Sequence, residues 1–284
     1  MENILKKSNK KTKLNNTKLN LIISITLTVL LLIICIIAPY IAPYDPNAQD
    51  LSISLSAPSS EHIFGTDKFG RDVFSRVLCG GAPSVFGSVI IVFIVTVIGV
   101  TIGVVAGYFG GKVDSFISKI TDIFLAFPGM VLAVAIAGML GIGIVNAIIA
   151  LAAVRWTKFA RLARSKTISI KENTFIYACK ISGLSDFQII VKHIIPNIIG
   201  ELMITVMLDV GVTMLELAGL SFLGLGVAPP TAEWGYMLNE GKSYLQTCPW
   251  MVLYPGFAII ITVMILNYLG DSIRDFLDPN YKEI

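Results

Sequence analysis

From Leu21 to Ala38 eighteen consecutive residues carry no charged side chain, and nothing else in the sequence constrains the fold as strongly. Such a run matches the ~20 residues a helix needs to cross ~30 Å of hydrocarbon. A helix is favoured there because it satisfies its own backbone hydrogen bonds. Similar runs recur at Val85–Tyr108, Ile120–Leu140 (interrupted by Pro128), Ile144–Trp156, Ile198–Leu223 and Met251–Leu269, with the turn Gly141-Ile-Gly143 between the third and fourth. The pattern predicts an all-α integral membrane protein with six transmembrane helices. Composition agrees: 55% of residues are hydrophobic, 14% are charged and the mean hydropathy is +0.77. Soluble domains carry about 25% charged residues, and charge is scarce here because hydrocarbon penalises it.

Lysine-rich Met1–Lys18 precedes the first run, so a cleaved signal peptide is the alternative to a retained helix. The run is longer than a typical ~7–15-residue signal core, and Pro39 and Pro43 are poor neighbours for cleavage, which favours retention. The expected organisation is a basic cytoplasmic arm at 1–20, a first helix at 21–38, an extracellular segment at 39–84 and a five-helix core at 85–284. Orientation follows from the lysine and arginine bias. The arm has six lysines (Lys6, Lys7, Lys10, Lys11, Lys13, Lys18) against Glu2, and Arg155–Lys192 has eight basic residues against two acids. The 39–84 segment reverses this, with three basic residues against five acids. Both termini and the loop 155–197 are therefore expected in the cytoplasm of a multi-pass cell-membrane protein.

Soluble chemistry finds no footing. Cys35, Cys79, Cys179 and Cys248 have no metal or disulfide spacing, and His62 and His193 form no HExxH pattern. No nucleophile–base constellation suggests an enzyme, and nothing calls for nucleic acid. Gly107-Tyr-Phe-Gly-Gly-Lys112-Val113 lacks the spacing and hydroxyl of a phosphate-binding loop. ATP, if used, must be hydrolysed by another polypeptide.

The loop 155–197 is patterned. One helix is expected from about Glu172 to Ser182, ending near Gly183; a second starts at N-cap Ser185, with Gln188 completing a capping box, and stops at Pro196. Ile176, Ile181, Leu184, Phe187 and Ile190 provide an apolar surface that calls for a partner groove.

Gly183, nine residues, then His193-Ile-Ile-Pro196-Asn197 resembles the cytoplasmic EAA loop of ABC importer permeases of the peptide/nickel group. Gly65-Thr-Asp-Lys-Phe-Gly-Arg71-Asp72 with Ser75-Arg76, Asp114 through Asp122 to Phe127-Pro128, Ser221-Phe-Leu-Gly-Leu-Gly226 with Pro229-Pro230, and Gly270-Asp271 to Asp278-Pro279 extend the likeness along the chain. The resemblance implies six helices, a second homologous permease subunit, two ATP-binding subunits that use ATP and magnesium, an extracellular solute-binding protein, and no cofactor on this chain. It also implies that Ala178, Gly183, Leu184, His193, Pro196 and Asn197 contact the ATPase. Tyr177-Ala178-Cys179 stands where the family carries Glu-Ala-Ala, so docking would rest on Ala178, Gly183 and the apolar face.

Asp209 and Glu216 lie seven residues apart on one face of the fifth run. They either line the pathway, as transient metal contacts at most, or form buried structural hydrogen bonds. The motifs Leu208-Asp209-Val-Gly211 and Thr231-Ala-Glu233-Trp234-Gly235 look more like nickel than peptide permeases, although Glu216 replaces a histidine common in the former. Nickel or a metal chelate is the leading substrate and a dipeptide or oligopeptide the alternative; a stand-alone secondary transporter lacks the expected internal symmetry. Asp67, Arg71 and Asp72, with Glu233 and Trp234, are read as an extracellular rim or gate, or as a structural turn. Asp67–Arg71 would be an i,i+4 pair worth tenths of a kcal/mol on an exposed helix. Trp234, Tyr236, Tyr244 and Trp250 fit an interfacial aromatic belt. Gly99, Gly103 and Gly107, every fourth residue, fit close helix packing.

Overall fold

The computed structural model describes residues 2–277, with side chains from Thr17 to Phe276; Asp278-Pro279 and the side chains of the first five arm lysines lie outside the described residues. No strand occurs among the described residues, and Thr66 and Asp72 form an isolated antiparallel bridge. Among the described residues ten α-helices follow in order: α1 Glu2–Ile41, α2 Val73–Phe109, α3 Gly111–Leu125, α4 Gly129–Leu140, α5 Ile144–Lys171, α6 Thr174–Ile181, α7 Asp186–Ile189, α8 Ile195–Phe222, α9 Trp234–Gly241 and α10 Trp250–Leu277. The chain divides into two compact units, one of Met1–Ser88 with Met207–Ile284 and one of Val89–Val206.

In the first unit α1 packs on α10 and α10 on α9. The hydroxyls inside the apolar run cost α1 little because each returns to its own backbone: Ser24 donates to the Leu21 carbonyl (3.0 Å), Thr26 to Ile22 (2.8 Å) and Thr28 to Ser24 (2.8 Å). α2 begins twelve residues before the expected Val85. Its start is set by Asp72, whose carboxylate accepts the Ser75 N–H at 2.7 Å in the N-cap manner. The segment 51–72 is held by turns, including Asp67 N–H to the Arg71 carbonyl at 3.0 Å.

In the second unit α5 packs against α3 and α4. The glycine repeat on α2 does what its spacing suggests. A Cβ at Gly99 would lie 2.5 Å from the Trp156 carbonyl oxygen, one at Gly103 2.2 Å from that of Ala160, and one at Gly107 2.8 Å from that of Arg164. The two helix backbones are thus in contact along three turns. Arg164 pairs with Asp114 (Nη2–Oδ2 2.6 Å) and Arg161 with Asp122 (3.0 Å), tying α3 to α5.

Three expectations change. The run Ile120–Leu140, interrupted at Pro128, is two helices bent by 85°, and α4 alone, at twelve residues, reaches only ~18 Å. α5 runs fifteen residues past Trp156 to Lys171, because its alanine-rich sequence holds no Gly or Pro to stop it. Pro196 does not end the second loop helix: α7, a π-helical stretch at Ile190–Ile194 and α8 form one continuous helix from Asp186 to Phe222. There the Ile195 N–H reaches back five residues to Ile190; this wider turn relieves the clash of the proline ring with the preceding turn. Among the described residues four helices are long and apolar enough to cross a membrane, or five if the bent pair counts as one span. α5 is not among them, since Arg155, Lys158, Arg161 and Arg164 recur along it from its middle onward.

Candidate functional site

The segment α6–α7 is an amphipathic pair with one face already used. Ile176, Ile189 and Ile194 are buried with Val104 and Tyr108 of α2, Ala163 of α5 and Ile198 and Leu202 of α8, and Leu184 and Ile190 pack against this core. Burying each such side chain stabilises by about 1.5–3 kcal/mol, which fixes the segment to the ends of the long helices. The opposite face stays open: Ile181 is 88% exposed, Phe187 74% and Tyr177 56%, with Ala178 and Gly183 between them. Five apolar residues expected on one surface are therefore divided between the core and an outward ridge.

The local signals are realised. Ser185 caps α7 with the reciprocal Gln188 bond to its own N–H (3.0 Å). Gly183 adopts φ +82° with open space around it, a C-terminal turn that costs glycine little. His193 is half-buried with its ring 6.5 Å from that of Phe175; the Asn197 amide donates to the His193 carbonyl at 2.5 Å, and Pro196 and Asn197 are exposed.

The first unit contains a buried ion network. Asp67 accepts from Arg71 Nε at 2.6 Å, and Arg71 Nη2 bonds both Glu240 oxygens at 2.8 Å. Arg76 reaches Glu240 at 3.2 Å and lies 3.6 Å from Asp67. Both arginines are 1% exposed, so two acids balance two bases out of reach of water. Asp67 and Arg71 lie in a turn, not a helix, and their pairing is far more consequential than an exposed i,i+4 contact. Asp72 bonds His62 Nδ1 (2.9 Å) and the Ser75 hydroxyl (2.7 Å).

Glu233 is the N-cap of α9, accepting from the N–H groups of Gly235 (2.9 Å) and Tyr236 (2.8 Å) and from the Ser84 hydroxyl (3.0 Å). Burial pushes its carboxyl above the usual range, and these donors oppose the shift. Trp234 is buried with its indole N–H on the Val77 carbonyl (2.7 Å), and Trp250 donates to the Thr66 carbonyl (3.1 Å). Trp234 is an internal anchor rather than a member of an aromatic belt, and Trp250 is half-buried. Glu240 and Arg76 were not singled out as site residues by sequence, because their partners lie up to 169 positions away.

Asp209 is 1% exposed, next to Thr213, whose hydroxyl donates to the Asp209 carbonyl at 2.7 Å and lies 3.5 Å from its carboxylate. Glu216 is half-buried. Among the described residues no group of three His, Cys, Asp or Glu side chains is placed to hold a metal ion.

Long apolar helices and a short amphipathic pair with an unfilled outer face define a helical membrane protein. Residues 99–283 match the family described as binding-protein-dependent transport system inner membrane component, and residues 20–58 match the N-terminal TM domain of oligopeptide transport permease C. The chain belongs to this family of inner membrane components: it is a permease subunit of an ABC importer, a class that works with ATPase and binding-protein partners. It is similar to the dipeptide transport system permease protein DppC of Alkalihalophilus pseudofirmus (45% identical, covering 80% of this chain and 75% of that one). It is also similar to the nickel transport system permease protein NikC of Escherichia coli K12 (41%, 83% and 85%) and the glutathione transport system permease protein GsiD of Escherichia coli O6 (43%, 80% and 75%). The fold is shared with an inward-facing structure of the MetNI methionine ABC transporter (TM-score 0.60, 20% identity, 72% of this chain and 97% of that one).

Proposed function

We propose that this chain forms half of the translocation pathway of an importer in the cell membrane, beside a second homologous permease subunit, with two ATP-binding subunits inside and a solute-binding protein outside. The observation that carries this is the division of α6–α7 into a buried face and the exposed ridge of Tyr177, Ala178, Ile181 and Phe187. A ridge of this kind suits an ATPase groove, and it needs no glutamate at position 177. Ala178, Gly183, Leu184, His193, Pro196 and Asn197 shape or support it. Replacing Ile181 and Phe187 by Asp should prevent co-purification of the ATPase subunits; retention would refute the assignment.

Both termini are cytoplasmic in this reading, with six crossings. The lysine and arginine bias of the arm and of 155–197 supports this orientation. Asp209 and Glu216 border the pathway, and Asp67, Arg71, Asp72, Glu233 and Trp234 brace its outer rim. Two substrates have support. Nickel, free or chelated, is favoured by the Asp209 and Glu233-Trp234-Gly235 motifs; a dipeptide or oligopeptide is favoured by the 45% identical dipeptide permease. Deleting the gene and measuring nickel and dipeptide uptake in parallel separates them: loss of peptide uptake alone would eliminate nickel. The same deletion, complemented by Asp209→Asn or Glu216→Gln, tests the pathway role, which intact transport would refute.

A further inference from the structure

Tyr108 occupies the second-last position of α2 and is 3% exposed, yet its hydroxyl is not spent on its own helix. It donates to Asp186 Oδ1 at 2.5 Å. Asp186 is the first residue of α7, directly after the N-cap Ser185 and the turn at Gly183. The ammonium of Lys171, at the end of α5, lies 5.7 Å from the Tyr108 ring centre, and that of Lys180, in α6, lies 5.4 Å away. One aromatic ring therefore gathers the ends of four helices, two of them long and two belonging to the outward segment.

We propose that the Tyr108–Asp186 hydrogen bond is a latch that makes α6–α7 and α2 move as one body, so that displacement of the segment is passed to a long helix. This rests on the reading of α6–α7 as the ATPase contact. The apolar contacts of Ile176, Ile189 and Ile194 hold the segment against α2, but burial by itself is non-directional. A hydrogen bond to a carboxylate is directional and is among the stronger kind. Its position at the corner between α6 and α7 places this bond where a shift of the corner is felt. Tyr108 and Asp186 are positioning residues in this account; neither touches the transported solute.

The test uses the whole complex, this chain with its co-expressed partner subunits, in lipid nanodiscs. Spin labels replace Thr101 on α2 and Ser182 at the end of α6, both exposed, and pulsed EPR measures their separation without nucleotide and with ATP trapped by vanadate. With the latch intact the separation should be the same in both states. Tyr108→Phe keeps the ring and removes only the hydroxyl, and should let the separation shift on trapping. Asp186→Ala, at an exposed site, removes the acceptor, should act in the same direction and carries the test if Tyr108→Phe assembles poorly. The latch is refuted if the separation stays constant in the variants, even when their melting temperature falls, or if it already shifts in the unsubstituted complex. The underlying reading fails separately, if Ile181→Asp with Phe187→Asp leaves the ATPase subunits bound.

Discussion

The glycine face of α2 allows a graded prediction. At Gly103 an added methyl would sit 2.2 Å from the Ala160 carbonyl oxygen, 2.9 Å from its carbonyl carbon and 3.0 Å from its Cα. A relaxed carbon–oxygen contact needs ~3.3 Å, so α5 must retreat by about 1 Å. The obstacle is backbone on a continuous helix, and no side-chain rotation relieves it. Gly103→Ala should then cost about 1–3 kcal/mol of overpacking, offset in part by the ~1 kcal/mol that alanine gains over glycine in a helix. Gly99→Ala meets oxygen at 2.5 Å and Gly107→Ala at 2.8 Å, so the penalties should fall in the order Gly103, Gly99, Gly107. Gly200 of α8, with nothing within 4 Å of its would-be Cβ, is the internal control; Gly200→Ala should be neutral or stabilise by up to ~1 kcal/mol. Thermal melting of the purified protein followed by size-exclusion fluorescence reads the series, at about 2–4 °C per kcal/mol for a chain of this size. If Gly103→Ala melts with or above the unsubstituted protein, as Gly200→Ala is expected to, the close approach of α2 and α5 is refuted.

Removing the charge of Arg71 by Arg71→Met leaves Asp67 and Glu240 short of a buried partner and should destabilise by about 3–5 kcal/mol. By contrast Arg161→Ala, whose ion pair is 58% and 70% exposed at its two ends, should cost no more than about 1 kcal/mol; chemical denaturation of the two proteins side by side checks the contrast. Ser185→Ala abolishes the capping box and should cost ~1 kcal/mol, seen as faster amide exchange confined to α7. Glu233→Ala withdraws the acceptor from two N–H groups and the Ser84 hydroxyl, and ~1–3 kcal/mol of lost stability is expected; an unchanged melting point would show that the cap is dispensable.

Sequence logic worked best where the deciding contact is close along the chain. The capping box of Ser185 and Gln188, the turn at Gly183 and the four-residue glycine repeat each depend on neighbours within a turn or two, and each is present. It erred where a local signal was overruled. Pro196 marks a helix end by its missing N–H, but the π-helical turn before it absorbs the defect. Asp72 marks a helix start that was legible as an N-cap, yet hydropathy pointed to Val85, because an apolar window responds to lipid contact and not to helix length.

What the residues by themselves determine is the membrane class, the apolar runs and the local caps, since these follow from composition and from hydrogen bonds a few positions long. Tertiary structure decided which side of each polar or apolar residue is covered. Asp67 and Arg71 became part of a buried network only through Glu240. Ile176 went to the core while Ile181 stayed outside. Tyr108 found its partner 78 residues away on α7. Burial is a property of pairs of surfaces, and a linear pattern specifies one surface without naming the other.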